Sequence, residues 1–111
     1  MRRTVRILPD AEIEILAAME WYERQRRGLG LEFELALDAA MQGLSRHPQK
    51  HAWVGLRTRR LLLRRFPYLV LYVAEGDEIL VTAVFHVRRD PARWSDRLRE
   101  SAPQSRYVVL P

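Results

Sequence analysis

The chain contains no cysteine, which excludes a disulfide framework and any thiolate metal site. It has no apolar run near the ~20 residues of a membrane span, and no signal-length apolar segment follows the basic start MRRTVRIL. A cytoplasmic protein is the expectation. Repeats and low-complexity stretches are also missing. Glycine is scarce, and Gly28-Leu29-Gly30 has neither the third glycine nor the lysine of a phosphate loop, so it reads as a turn. No carboxylate pair and no Ser-His-Asp arrangement stands out. His47 and His51 lie four apart in an expected loop near Trp53, with no third ligand at a convincing spacing, so neither a metal nor another cofactor is expected.

What remains is an ordinary globular composition: 48% hydrophobic and 30% charged residues over 111 positions, enough for one domain with its own core. The expected division is a domain over residues 1–100 and a tail over 101–111. Charge is unevenly placed. Residues 1–50 carry eight cationic and eight anionic side chains, whereas residues 51–111 carry eleven and six, so the whole excess of +5 lies in the second half. Lys50 is the single lysine among 19 cationic residues. Arginine's planar fork suits carboxylates and phosphates and stacks on aromatics. A GC-rich genome would also raise arginine, but it would not cluster it.

Val5 and Ile7 alternate with Thr4 and Arg6, predicting a strand over 4–8. Pro9-Asp10 stops it, with Asp10 as the expected N-cap of a helix to about residue 27. Ala11, Ile15, Ala18 and Tyr22 form that helix's apolar line. After the glycine turn, Phe33, Leu37, Ala40, Met41 and Leu44 predict a second helix over 31–46, antiparallel to the first. Residues 57–65 and 68–74 read as strands separated by Phe66-Pro67, and 78–87 as an apolar, central third strand after the Glu75-Gly76-Asp77 turn. Asp90-Pro91 then opens a short helix. Tyr107 to Leu110 is an apolar patch needing a partner. The expected fold is α+β in two layers, a helix hairpin on a small antiparallel sheet, in the order β-α-α-β-β-β-α.

Function is expected on the sheet face that the helices leave open. Candidates converge there from separate stretches: Arg59, Arg60, Arg64 and Arg65; Tyr68 and Tyr72; His86, Arg88 and Arg89; and Trp94 and Arg97. Alternation alone does not fix which of them share a face. A cationic face with aromatics can grip a nucleic-acid backbone and stack bases. It can stabilise charge during phosphodiester cleavage without a metal, or bind an acidic protein segment. It can also be a solvated basic sheet. His86 is the one residue near the cluster that titrates near neutrality.

The segments EWYERQRRGLGLEF, RRFPYLVLYVAEGDEILVTAVFH and HVRRDPARWSDR occur in the order found in a known family. With them the chain resembles, over about residues 9–97, the RelE/ParE superfamily of toxins from bacterial type II toxin–antitoxin systems. The resemblance implies the fold above, a cognate antitoxin that wraps the toxin, possible toxin–antitoxin hetero-oligomers, and one of two activities. ParE-like members poison DNA gyrase by binding it. RelE-like members cleave mRNA on the ribosome, without metal, using basic residues and often a tyrosine. Arg88 matches one RelE catalytic arginine, with His86 as the available acid or base. The position of a second arginine carries Leu69, and that of the tyrosine falls near Trp94. The glycine-turn hairpin resembles the ParE side. Toxin action by binding is the first expectation, a metal-independent endoribonuclease the second, and a non-toxic nucleic-acid or protein-binding module the third.

Overall fold

The computed structural model describes residues 3–88. Strand β1 (Thr4–Ile7) leads into helices α1 (Pro9–Gln25) and α2 (Leu29–Arg46). A short 3-10 turn (Pro48–Lys50) follows, then strands β2 (Thr58–Leu62), β3 (Tyr68–Glu75) and β4 (Glu78–His86). The expected last helix and tail lie outside the described residues.

The sheet runs β1-β4-β3-β2. β2, β3 and β4 are antiparallel as expected, but β1 joins β4 in parallel, from Thr4↔Glu78 to Ile7↔Val81, so the sheet is mixed. Turn chemistry orients strands that follow each other closely. β1 meets a partner from the far end of the chain, with no turn between them to set its direction.

α1 begins two residues earlier than expected. Leu8 is its N-cap, no side chain caps it, and Pro9 occupies the first turn. Proline's fixed φ suits that position, and Asp10 and Glu12 face the positive end of the dipole from within the first turn. The helix ends at Gln25, and Gly28 takes the left-handed turn at φ 89°. Glu23 then serves the next helix. Its carboxylate accepts the N–H groups of Gly28 (2.9 Å) and Gly30 (3.0 Å), so α2 starts at Leu29. These two bonds hold the Glu23 carboxyl below its ordinary value. The hairpin is tight there: a Cβ at Gly30 would lie 2.6 Å from the Met19 carbonyl oxygen.

The helix pair covers one sheet face. Ile15, Tyr22, Phe33, Leu37 and Leu44 pack on Leu61, Val70, Tyr72, Val81 and Val84. An aromatic knot closes one end, with ring centroids 4.9 Å apart for Tyr22 and Phe66 and 5.0 Å for Phe33 and Tyr68. A bulge between Leu71 and Tyr72 pairs Leu71 with Ala83 and Tyr72 with Val81. The extra residue, Thr82, changes the phase of β4, so Val84 and His86 share the helix-covered face with Val81. The second face holds Leu69, Leu71, Ala83 and Phe85, all buried, with Val54 and Val87 against them.

Candidate functional site

The residues expected on an open, cationic sheet face do not share one face. Register with β3 places Arg59 beside Tyr72 on the helix side and Arg60 beside Leu71 on the other. Arg59 is half-buried. One guanidinium nitrogen donates to the Gln49 (3.0 Å) and His51 (2.6 Å) carbonyl oxygens, and the group sits 3.6 Å over the Trp53 ring. It clamps the loop before β2. Arg60 is exposed. β2 ends at Leu62, so Arg64 and Arg65 lie in the following turn, both exposed. Arg65 pairs with Glu32 at the start of α2 and lies 5.0 Å from the Phe66 ring centroid.

Both tyrosines belong to the core, a correction to the expected surface. Their positions in β3 alternate with Leu69 and Leu71, and the larger helix-covered core takes the tyrosine phase. Tyr68 is 4% exposed within the aromatic knot. Tyr72 is fully buried, and its hydroxyl donates to the Pro48 carbonyl oxygen at 2.6 Å. Burial pushes this phenol up to about 12, with Arg59 opposing the shift. His51, near Tyr72, is held below its ordinary value by burial and by the charges of Lys50 and Arg59.

His86 closes β4 half-buried, its ring edge-on to Tyr68 at 5.4 Å. Its Nδ1 accepts the Arg88 N–H at 3.2 Å, which leaves Nε2 to carry the proton of the neutral ring. Arg88 is exposed; Arg89, Trp94 and Arg97 lie outside the described residues. His86 lines a cleft of about 330 Å³ between α1 and the part of β4 beyond β1, with Glu14, Trp21 and Tyr68. The buried Glu14 carboxylate accepts the Val84 N–H at 2.9 Å. It occupies the strand edge where β1 has stopped pairing.

Glu14 did not stand out in the sequence, because a carboxylate in the first turns of a helix reads as a dipole partner. A second cleft, of about 500 Å³, lies on the opposite flank between α2 and β2. Its signal was a glycine, Gly43, inside an otherwise regular helical pattern. Among the described residues no three His, Asp or Glu side chains gather as a metal site. The described helices include none long and apolar enough to cross a membrane.

A family model described as the ParE toxin of the type II toxin–antitoxin system parDE matches residues 5–91. No curated protein matches the chain. Among solved structures, the fold is similar to a chain of the chromosomal ParDE toxin–antitoxin system from P. aeruginosa, with a TM-score of 0.68 at 16% identity. That likeness covers 77% of this chain and 96% of that one.

Proposed function

This chain belongs to the ParE toxin family of type II toxin–antitoxin systems, and from that premise we propose that it acts in the cytoplasm by binding DNA gyrase and is neutralised by a cognate antitoxin. The observation that carries the choice of binding over cleavage is the buried, apolar state of β3, at Leu69 above all. Tyr68 and Tyr72 are enclosed beneath the helices, and the Tyr72 phenol is hydrogen-bonded and raised to about 12. A phenol so placed neither reaches RNA nor exchanges a proton near neutrality. Leu69, where the resemblance puts a catalytic arginine, is 3% exposed among Leu71 and Phe85. The cations facing solvent, Arg60, Arg64 and Arg88, suit contact with an acidic protein surface. Arg65, Arg89, Trp94 and Arg97 are assigned to the same contacts.

The test is a pair of assays on the purified protein. Inhibition of gyrase supercoiling with accumulation of cleaved DNA is expected, and programmed ribosomes should keep their mRNA intact. Cut mRNA with unaffected supercoiling would overturn the reading.

One contact favours the endoribonuclease as the second reading. With Nδ1 accepting the Arg88 N–H, the neutral His86 ring carries its proton on Nε2, where it is a hydrogen-bond donor suited to a phosphate oxygen. On that reading His86→Ala and Arg88→Ala each abolish ribosome-dependent cleavage, while cleavage unchanged in both refutes the site.

A further inference from the structure

Between Asp38 and Glu75 the chain holds no carboxylate: residues 39–74 include seven arginines and lysines and neither Asp nor Glu. Outside β3 this stretch builds one flank of the molecule. It supplies the end of α2, the 3-10 turn, the loop after it and β2, the edge strand of the sheet. Three of the seven cations are already engaged. Arg57 pairs with Glu75 at 3.7 Å, Arg65 pairs with Glu32, and Arg59 clamps the loop before β2. Arg46, Lys50, Arg60 and Arg64 are exposed and form no ion pair among the described residues.

These four surround the edge of the sheet. Arg46, Lys50 and Arg64 border the cleft between α2 and β2, whose described lining has no carboxylate. Arg60 lies on β2 itself, on the sheet face away from the helices. Arg46 also suits the negative end of the α2 dipole, but Arg60 and Arg64 have no helix end to serve. The opposite flank mixes its signs. There Arg24 pairs with Glu20 at 2.9 Å, and Glu14 and Glu20 line the cleft beside α1.

Unmixed positive charge selects the kind of partner. A pI of about 10.4 with cations gathered on one flank is the electrostatic footprint of a nucleic-acid-binding surface. An acidic protein would answer single cations, but protein interfaces are depleted of charge at their centres. Nucleic-acid interfaces are much more positive. Three of the four free cations are arginines, whose forks match phosphate oxygens bidentately. The aromatics favour a duplex over a single strand, because single strands are held on successive stacking platforms. Trp53 is the one exposed aromatic of this flank among the described residues, and Arg59 already lies 3.6 Å over its ring.

We propose that this carboxylate-free flank binds the phosphate backbone of duplex DNA, so that the toxin holds the DNA on which gyrase acts as well as gyrase itself. The choice of DNA over RNA rests on the gyrase reading above. Four neutralised phosphates predict a slope of about −3.6 for log K against log salt, a loss of roughly a hundredfold between about 50 and 200 mM salt.

Fluorescence anisotropy of a labelled short DNA duplex of arbitrary sequence, titrated with full-length toxin across that salt range, tests the contact. The double variant Lys50→Gln/Arg64→Gln should flatten the slope by about 2 and weaken binding at least tenfold at about 50 mM salt. Lys50→Gln alone, a milder change at an exposed site, should flatten it by about 1. Arg24→Gln, on the opposite flank, should leave it unchanged. Thermal melting checks that each variant is folded. No duplex binding at about 50 mM salt, or a slope indifferent to both flank variants, overturns the proposal. So does tighter binding of an RNA duplex, a single strand or a polyglutamate peptide than of the DNA duplex. The supercoiling assay separates the two readings. Gyrase inhibited by a toxin that does not bind the duplex leaves the gyrase reading intact and removes the DNA contact. Duplex binding with gyrase unaffected does the reverse.

Discussion

A fully buried phenol keeps its hydroxyl at low cost only when hydrogen-bonded, and Tyr72 has one acceptor, the Pro48 carbonyl oxygen. Tyr72→Phe should therefore destabilise the fold by about 1 kcal/mol in urea titrations, the net worth of one such bond. Its pH signature is separable. The folded phenol titrates near 12 against an ordinary value of 10, so its contribution is complete below pH 10 and is lost as pH rises towards 12. Tyr72→Phe should flatten that alkaline limb. His51 has the opposite sign. Its folded value lies below 6.5, so its contribution is present above pH 6.5 and is lost as pH falls through the lowered value. Unfolding curves of His51→Gln between pH 7 and 5 should show a shallower decline than those of the wild type. The glycines of α2 likewise predict opposite outcomes. Gly30→Ala forces a methyl against the Met19 carbonyl and should cost about 1–3 kcal/mol. Gly43→Ala fills open space in a helix and should stabilise by about 1 kcal/mol.

Among the elements, β4 depends most on residues distant in sequence. β3 pairs its inner edge along its length, β1 pairs the outer edge only as far as Val81, and Glu14 takes the Val84 N–H beyond that. Glu14→Ala removes an acceptor from a buried donor and should cost about 1–3 kcal/mol, with Glu14→Gln milder because its oxygen still accepts. Hydrogen exchange at the Val84 amide reports the bond directly and should accelerate in Glu14→Ala. The elements themselves were legible in the sequence: the stripe through Ala11, Ile15, Ala18 and Tyr22, the turn at Gly28, and the alternation in β3. What was not legible depended on long-range choices. The direction of β1 is set by a partner more than seventy residues away. The bulge at Thr82 sets Tyr72 opposite Val81, and an apolar run such as LVTAVF carries no mark of where its phase will slip. Because β3 is apolar on both faces, its tyrosines could be assigned to either.

At the scale of the molecule, charge and surface chemistry separate. The excess of +5 belongs to residues 51–111, and cations rim the α2–β2 groove, while carboxylates lie along α1. Binding of an acidic antitoxin should weaken with ionic strength as screening shortens towards about 8 Å at physiological salt. A complex indifferent to salt would place its energy in apolar contacts instead. The cationic half was legible from composition, and Arg60, Arg64 and Arg88 are exposed. The groove was harder to see, because it forms between α2 and β2 and is marked in the sequence chiefly by one glycine.

The parallel pairing of β1 with β4 also sets an order in time. Glu78 emerges roughly 4–15 s after its partner Thr4 at ordinary rates of protein synthesis. During that interval the apolar stripes of α1 and α2 have no sheet to cover, and the first strand has no neighbour. The nascent chain therefore has much of the sequence of a toxin before it has the shape of one, and the last of the described strands to be translated is the one that joins β1 to the rest of the sheet.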